Sequence, residues 1–527
     1  MSSVTTNKMT NWRWVMCAML FFATTVNYMD RQVLSLTFKE FIQPEFHWTD
    51  SDYGTITGVF SICYAIFCLF AGKFVDWMGT KKGYLIAIVV WSLGAVMHAA
   101  CGWATVQFVD GIDNVAALRA VQVGSDLAAN VAMVSVYLFL ACRMILGLGE
   151  AGNFPAAIKV TAEYFPKKDR AFATSIFNAG ASVGALAAPA TIPLLAKSLG
   201  WEMVFIIIGL LGFVWAGIWI FVYDKPAESK FVNEAELRYV NQDDDDAEEN
   251  VQEEKQLSFA KAFTYKQTWS FAFGKFMTDG VWWFFLFWAP AYFQDQFGHK
   301  ASDPMGIALI FTLYAIVTFL SLFGGYLPKI FVEKKGMNPY QGRMLAMLIF
   351  AFFPVLALFA QPLGDYFHSA WWPAIIIGLV GAGHQAWSAN IFSTTGDMFP
   401  KSAVATITGI GAMAGGIGSF LINKGSGMLF TYASGEFMYD GKAYELTIKN
   451  IQEVFKTELP FGTSASAMVE KVQELGGVIA QTPLEALGFE GKPAGYMIVF
   501  CVCAVAYLIG WSVMKLLVPK YKPVVID

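Results

Sequence analysis

Charged side chains are scarce in this sequence. Lys, Arg, Asp and Glu make up 15% of the 527 residues, whereas hydrophobic residues make up 56%. A soluble domain carries about 25% charged residues, so a chain with this balance does not have enough polar surface to stay in water. The low charge therefore excludes a soluble globular protein and indicates that most of the chain lies in lipid.

Histidine and cysteine are also few. There are five histidines, and the seven cysteines fall inside or at the edge of apolar segments, where free cysteine behaves as a small hydrophobic residue. The apolar segments contain neither a cluster of metal ligands nor a nucleophile beside a base. We therefore expect no disulfide framework, no metal, no cofactor and no enzymatic activity.

Long apolar stretches are abundant, and a membrane-spanning helix needs about 20 such residues. We predict an all-α membrane protein with twelve transmembrane helices in two pseudo-symmetric six-helix bundles, residues 1–223 and 267–527. The polar residues 224–266, with the acidic run Asp243–Asp246, Glu248 and Glu249, predict a solvated cytoplasmic linker. The predicted spans are 14–36, 54–75, 83–103, 131–153, 171–195, 202–223, 268–293, 304–328, 343–361, 371–394, 404–430 and 495–518.

An internal repeat supports two related bundles. Residues 163–167 (Glu-Tyr-Phe-Pro-Lys) follow the fourth span, and residues 397–401 (Asp-Met-Phe-Pro-Lys) follow the tenth. In the same register Glu150 aligns with His384. Parallel six-helix repeats are typical of transporters that bind substrate near the membrane midplane, between the two halves.

The distribution of lysine and arginine predicts the orientation, because basic residues are retained on the cytoplasmic side. The first apolar stretch lacks a cleavage site and is interpreted as a retained span. The short loops on the outer side then hold only Lys39, Lys197 and Lys300. We expect a multi-pass protein of the bacterial inner membrane with both termini cytoplasmic. The basic residues placed on the inner side are Lys81, Lys82, Lys167, Lys168, Arg170, Lys329, Lys334, Lys335, Lys401, Lys515, Lys520 and Lys522.

Two outer segments are longer than a minimal bundle requires, residues 104–130 and 432–494. The second contains helical patterns with mixed charge, such as residues 464–476. One interpretation is a cap on the outer face that joins the two halves. The simpler alternative is a solvated insertion without a role in transport.

Four charged residues lie within spans of the first half: Asp30, Arg31, Arg143 and Glu150. A charge at the bilayer centre costs about 2.5–3.5 kcal/mol on insertion scales, so each needs a partner or a function. Arg143 and Glu150 are seven residues apart and share one helix face. The structural alternative is a set of static salt bridges that hold the helices together.

The functional interpretation is a competition for charge. Without substrate, Asp30 and Glu150 can pair with Arg31 and Arg143 and remain ionised. An arriving carboxylate weakens this pairing, and burial then favours the neutral acid, so proton and anion load together. The pattern predicts proton-coupled symport of an anion, with the proton as the coupling ion.

The second half offers polar groups for a hydroxyl-rich ligand. Lys275 and Asp279 are four residues apart in the seventh span, and the ring of Trp283 suits the apolar face of a sugar. An intrahelical ion pair and a lipid-facing tryptophan are equally good interpretations. The tenth span is unusually polar for an apolar helix and adds the candidate donors and acceptors His384, Gln385 and Asn390. The first half adds Tyr28, Tyr64 and Asn178, for which a hydrogen bond in helix packing is an equally good interpretation.

The loop after the second span carries a specific motif. Gly72, Asp76, Gly79 and Lys81 follow the spacing G-x-x-x-D-x-x-G-x-K, which resembles the signature loop of the major facilitator superfamily. The resemblance implies that the acid contacts a helix N-terminus and nearby basic residues, and so latches the outward-facing state.

Other segments narrow the resemblance. Residues 28–31 (Tyr-Met-Asp-Arg) and 143–155 (Arg-Met-Ile-Leu-Gly-Leu-Gly-Glu-Ala-Gly-Asn-Phe-Pro) resemble the anion:cation symporter family. Residues 383–386 (Gly-His-Gln-Ala) and the pair Lys275 and Asp279 are most similar to bacterial hexuronate transporters. The resemblance implies proton coupling by Asp30 and Glu150, and carboxylate binding by Arg31 and Arg143.

The leading hypothesis is proton symport of glucuronate or galacturonate by alternating access. The alternatives are symport or exchange of another anion: galactonate, sialic acid, a dicarboxylate or phosphate. The expected partners are a small carboxylate and the lipid bilayer, without nucleic acid, and the expected state is a monomer.

Overall fold

The computed structural model describes residues 8–242, 258–321, 324 and 326–525, without the side chains of 167, 168, 171, 401, 402 and 405. The acidic run Asp243–Asp246, with Glu248 and Glu249, lies outside the described residues.

A helix lies on each predicted span. The described residues contain nine helical segments that are long and apolar enough to cross a membrane. Three more long helices, Trp12–Thr37, Lys266–Phe297 and Trp371–Met398, lie outside this set. They carry predicted site residues, and polar residues of this kind lower the hydropathy of a span. The long helices are α1 (Trp12–Thr37), α2 (Asp50–Met78), α3 (Thr80–Ala99), α4 (Asp126–Glu150), α5 (Lys167–Leu199), α6 (Trp201–Val222), α7 (Lys266–Phe297), α8 (Pro304–Ser321), α9 (Pro339–Ala351), α10 (Trp371–Met398), α11 (Lys401–Ser434) and α12 (Lys492–Leu517).

Shorter helical segments continue or connect these helices. A π-helical turn, Phe38–Ile42, follows α1, and a 3-10 segment, Pro354–Phe359, follows α9. The predicted ninth span is thus an interrupted helix. The remaining short helices are Gln43–Phe46, Cys101–Phe108, Val115–Arg119, Asn153–Tyr164, Glu234–Val240, Phe259–Ala262, Tyr326–Lys335, Ala360–Tyr366, Ile448–Phe455 and Ala465–Glu474.

Glycines allow the closest helix contacts. In the first half, Gly180 and Gly184 of α5 lie against the backbone carbonyls of Phe21 and Thr25 in α1, where a Cβ atom would clash. Small residues of this kind let helices approach closely in a membrane. Between the halves, a Cβ at Gly54 of α2 would lie 2.6 Å from the carbonyl oxygen of Asn423 in α11.

The connections define two sides of the helix bundle. The linker side holds residues 223–242 and 258–265 and both described chain ends, and the cap side holds residues 38–49, 100–125, 298–303 and 435–491. We call residues 435–491 the cap. Helix Ala465–Glu474 confirms the helical pattern predicted at residues 464–476.

The cap is a small folded unit. Strands β1 (Glu436–Tyr439), β2 (Lys442–Glu445) and β3 (Val478–Gln481) form an antiparallel sheet in the order β2-β1-β3, and β4 (Glu485–Ala486) pairs with β5 (Phe489–Glu490). Its apolar centre contains Phe437, Tyr444, Leu446, Ile451 and Val472. The cap joins the end of α11 to the start of α12, so it is attached to the second half at both ends.

The first part of the linker is docked on the first half. In helix Glu234–Val240, buried Glu236 accepts hydrogen bonds from the backbone N–H groups of Trp12 (2.9 Å) and Arg13 (3.1 Å) and from Thr10 Oγ1 (2.5 Å). Burial alone would raise the pKa of Glu236, but these bonds outweigh it and hold that pKa below its ordinary value. The Glu236 carboxylate thus caps the N-terminus of α1, a favourable position for a negative charge.

Candidate functional site

The charged residues of the first half form one buried cluster. Arg31 of α1 donates from Nε to Glu150 Oε2 of α4 at 2.8 Å, and both side chains are almost fully buried. Asp30 interacts electrostatically with Glu150, Arg31 and Arg143. The structure thus brings together the four charges predicted in this half.

Arg143 and Asp30 differ from the Arg31–Glu150 pair in their hydrogen bonding. Arg143 is 2% exposed and Asp30 is 0% exposed. Within the described part of the chain, Arg143 Nε and Nη1 and both carboxylate oxygens of Asp30 have no hydrogen-bond partner. A buried guanidinium and a buried carboxylate each carry a large desolvation cost when they are not hydrogen-bonded. Arg143 therefore has donors available for an anion. Arg31 uses Nε for Glu150, while its Nη2 has no partner in the described residues.

Aromatic rings surround Arg31. Its guanidinium carbon lies 4.5 Å from the ring centroid of Tyr64, 5.3 Å from that of Tyr28 and 5.4 Å from that of Trp283. These distances are within the range of cation–π attraction. Because Trp283 belongs to α7, the two halves meet at Arg31.

Lys275 and Asp279 form the predicted ion pair within α7, with Nζ and Oδ2 2.7 Å apart. Lys275 Nζ also lies 4.2 Å from the ring centroid of Phe392 in α10. The intrahelical pair is therefore present, with Lys275 facing α10 and the Asp279 carboxylate lying against Gly415 of α11.

His384 of α10 is held in a fixed orientation. Its Nδ1 lies 2.5 Å from the hydroxyl of Tyr507 in α12, and that hydroxyl donates to the carbonyl oxygen of Thr278 at 3.1 Å. A carbonyl only accepts, so the tyrosine proton points to Thr278 and His384 Nδ1–H is the donor to Tyr507. Nε2 then carries the lone pair. The ring also stacks on Trp282, with centroids 5.4 Å apart and an interplanar angle of 1°.

Two adjacent tryptophans connect the clusters. Trp283 contacts Arg31 of the first half, and Trp282 stacks on His384 of the second. Successive helical residues diverge by about 100°, so one turn of α7 presents a ring to each cluster. A ligand bound between the two halves would contact both clusters.

Three other predicted residues are not tied to these clusters. Asn390 donates through Nδ2 to the carbonyl oxygens of Ala386 (2.8 Å) and Gly324 (3.1 Å), as expected for a helix-packing bond. Gln385 is half-buried and Asn178 is exposed. Their roles in binding stay predictions.

In the signature loop, Asp76 and Lys81 each form an ion pair. Asp76 Oδ1 lies 2.7 Å from Lys159 Nζ, and Lys81 Nζ lies 2.8 Å from Asp224 Oδ1. Gly79 has a φ of 77°, a left-handed conformation that favours glycine. A Cβ at Gly72 would meet no atom within 4 Å. Both ion pairs lie within the first half or its linker, and the latch between halves stays a prediction.

Sequence reasoning did not single out four residues of the site. Tyr507 orients His384, Phe392 faces Lys275, and Phe60 lies 5.3 Å from the guanidinium carbon of Arg143. Asn27 is buried one helical turn before Asp30, and neither its Oδ1 nor its Nδ2 has a partner in the described residues. In the sequence, Tyr507 and Asn27 are marked by nothing more than a polar side chain within an apolar helix.

A cavity on the cap side is separate from these clusters. It has a volume of about 1660 Å³ and lies on the cap side, between the cap, residues 39–55 and the start of α4. None of the predicted site residues lines it. The charge chemistry and the cap-side cavity are thus distinct features.

Known proteins share both sequence and fold with this chain. The hexuronate transporter of Escherichia coli (strain K12) is 26% identical over 414 residues, which cover 78% of this chain and 85% of that protein. The galacturonate transporter of Dickeya chrysanthemi is 25% identical over 66% of this chain and 92% of that protein. The D-galactonate transporter of Escherichia coli O6:H1 is 24% identical over 78% of this chain and 87% of that protein.

Solved structures agree on the fold. An inward-facing, occupied bacterial homologue of the human lysosomal transporter Spinster superposes with a TM-score of 0.62 at 19% identity, covering 96% of this chain and 97% of that one. A D-xylose-proton symporter superposes with a TM-score of 0.59 at 12% identity, covering 97% and 98%. The sequence pattern of the Major Facilitator Superfamily matches residues 20–422. The resemblance found in the sequence is confirmed, and the chain belongs to the Major Facilitator Superfamily of membrane transporters, not to an enzyme family.

Proposed function

We propose that this transporter carries a sugar acid, a hexuronate such as glucuronate or galacturonate, together with a proton. The observation that carries the proposal is the buried Arg143 guanidinium, whose Nε and Nη1 have no partner in the described residues, beside the acids Asp30 and Glu150. Relatives named for hexuronate and galacturonate support the same substrate class.

The substrate carboxylate binds Arg143 first. Two parallel N–H donors of a guanidinium match the two oxygens of a carboxylate. Arg31 stays close to Glu150 and to its aromatic neighbours, and it adds positive charge to the same site. The anion therefore competes with Asp30 and Glu150 for the two arginines.

The proton then neutralises an acid that has lost part of its pairing. An ionised carboxylate without a partner is strongly disfavoured in a buried site. With proton and anion both bound, the cluster is closer to neutral, so the loaded site crosses the membrane at a lower electrostatic cost. This order of events couples the two fluxes without an added cofactor.

The second half recognises the sugar ring. Trp283 and Trp282 offer flat apolar surfaces, and hydroxyl groups of the ligand can donate to His384 Nε2 or bind the Lys275–Asp279 pair. Asp76 and its loop act as the latch on the linker side, and that side faces the cytoplasm of a bacterial cell, which the predominance of basic residues in its loops supports.

Uptake of labelled glucuronate into proteoliposomes tests the proposal. The purified protein is reconstituted, an inward proton gradient is imposed, and an uncoupler serves as the control. We expect accumulation that the uncoupler abolishes. Accumulation of galactonate, sialic acid or phosphate in place of glucuronate would refute the hexuronate assignment, and uncoupler-insensitive accumulation would refute proton coupling.

Tyr507→Phe tests the role of the second half. The variant removes the hydroxyl that fixes the His384 ring, so we expect the KM for the sugar acid to rise about tenfold, which corresponds to one lost hydrogen bond of about 1.4 kcal/mol. Tyr340→Phe is the matched control, because the buried Tyr340 hydroxyl donates to the carbonyl of Val518, away from both clusters. Equal KM values for the two variants would remove Tyr507 from the site.

A further inference from the structure

The cap contacts both halves of the transporter. Tyr444 of β2 packs directly on Gly124, and Val123 completes the apolar centre of the cap. Both partners belong to the long segment that precedes α4 in the first half. Phe461 of the cap packs on Gly298 of the second half, where a Cβ would lie 3.2 Å from its ring.

Four charges lie beneath the cap at the junction of the halves, Lys39 and Asp50 from the first and Asp295 and Lys492 from the second. Across the junction, Lys39 Nζ lies 3.2 Å from Asp295 Oδ2, and Lys492 Nζ lies 2.8 Å from Asp50 Oδ2. Within the first half, Lys39 Nζ lies 2.6 Å from Asp50 Oδ1. Each cation thus contacts an acid of the opposite half.

Strand β2 connects the cap contact to this charge cluster. Successive strand residues point to opposite faces. Tyr444 faces the apolar centre and the first half, while Glu445 lies 4.0 Å from Lys492. A movement of Tyr444 away from Gly124 therefore displaces the acid beside Lys492.

Opening of the cap side must break these contacts. Transporters built from two parallel repeats work largely by rocking one half against the other. The cap is attached to the second half at both ends, so it moves with that half. Separation on the cap side then requires Tyr444 to leave Gly124 and the Lys39–Asp295 and Asp50–Lys492 pairs to separate.

We propose that the cap and the four-charge cluster form one latch, which holds the cap side closed and releases the segment at Val123–Gly124 in each transport cycle. The inference rests on alternating access and does not depend on which anion is carried. It assigns a conformational role to both long insertions of this chain.

Distances between spin labels test the latch. Labels at Ser198→Cys, in the first half, and Tyr366→Cys, in the second, report the cap-side separation; both positions are exposed, and the seven native cysteines are replaced by alanine. We expect Tyr444→Ala to raise the ratio of open to closed cap sides about tenfold, which corresponds to about 1.4 kcal/mol.

Two further variants keep the test decisive. Val123→Asp weakens the same contact from the first half, changes no residue of the cap itself, and is expected to shift the distances in the same direction. Phe461→Ala is the matched control, because it removes an equivalent aromatic–glycine contact within the second half, and we expect no shift. Unchanged distances in both Tyr444→Ala and Val123→Asp, or an equal shift in Phe461→Ala, would overturn the latch. The measurement needs no substrate, so an error in the substrate assignment would not affect it.

Discussion

Arg143→Lys is expected to weaken binding of the transported carboxylate about 10- to 100-fold, because a charge-assisted hydrogen bond contributes about 1.5–3 kcal/mol. Lysine keeps the positive charge but loses the planar fork that binds two carboxylate oxygens at once. Nε and Nη1 of Arg143 have no partner in the described residues, so this guanidinium has donors available to an anion. Equilibrium binding of labelled glucuronate to the purified protein measures the effect.

Arg343→Lys is the control for this variant. Arg343 Nε lies 3.0 Å from Asp397 Oδ2 on the linker side, so the substitution perturbs a structural arginine–carboxylate pair away from the site. We expect wild-type affinity for that variant. If Arg143→Lys also bound glucuronate with wild-type affinity, Arg143 would not be part of the carboxylate clamp.

The fold could be predicted because its main determinants are local. The length and hydropathy of each span follow from nearby residues, and the repeat at Glu163–Lys167 and Asp397–Lys401 identified the two halves. Spacing also predicted that Arg143 and Glu150 share a face. The sequence did not determine the rotation of each helix about its axis. This rotation decides which side chain each buried charge contacts. Arg31 pairs with Glu150, while the carboxylate oxygens of Asp30 have no partner in the described residues.

Contacts between distant segments could not be predicted. Tyr507 contacts His384 across 123 residues of sequence, and no periodicity within α12 distinguishes a tyrosine that orients a histidine ring from one that only packs. The contacts of the cap were even less predictable from the sequence. The two long insertions were each compatible with a solvated loop, and their contact at Tyr444 and Gly124 depends on how both halves fold.

The two proposals assign loading and closure to separate sets of residues. In them, loading depends on Asp30, Glu150 and the arginines, whereas closure of the cap side depends on Lys39, Asp50, Asp295 and Lys492. A substitution among Asp30, Glu150 and the arginines should alter loading first, and a substitution in the cap or the four-charge cluster should alter closure first. Substitutions at Tyr444 are therefore expected to change the distribution of conformations, and substitutions at Glu150 are expected to change coupling.

Glu150→Gln is expected to abolish proton-driven accumulation but to leave substrate exchange. At one proton per anion, a gradient of about two pH units supports accumulation of up to about 100-fold, because each pH unit is worth about 1.36 kcal/mol. Glutamine has nearly the same shape as glutamate but cannot take up the proton, so we expect the accumulation ratio to fall close to one. Counterflow of labelled substrate against unlabelled substrate needs no net proton movement and should persist.

Glu45→Gln provides the matched comparison for Glu150→Gln, since Glu45 is a buried acid on the cap side whose Oε2 lies 3.0 Å from Nε of the half-exposed Arg119. Accumulation by Glu45→Gln should remain near that of the wild type. The two assays on Glu150→Gln then separate the possible roles of its contact with Arg31. Loss of accumulation alone assigns Glu150 to proton coupling. Equal loss of accumulation and counterflow would mean that the Arg31–Glu150 pair only holds α1 against α4, and the coupling role would fall to Asp30.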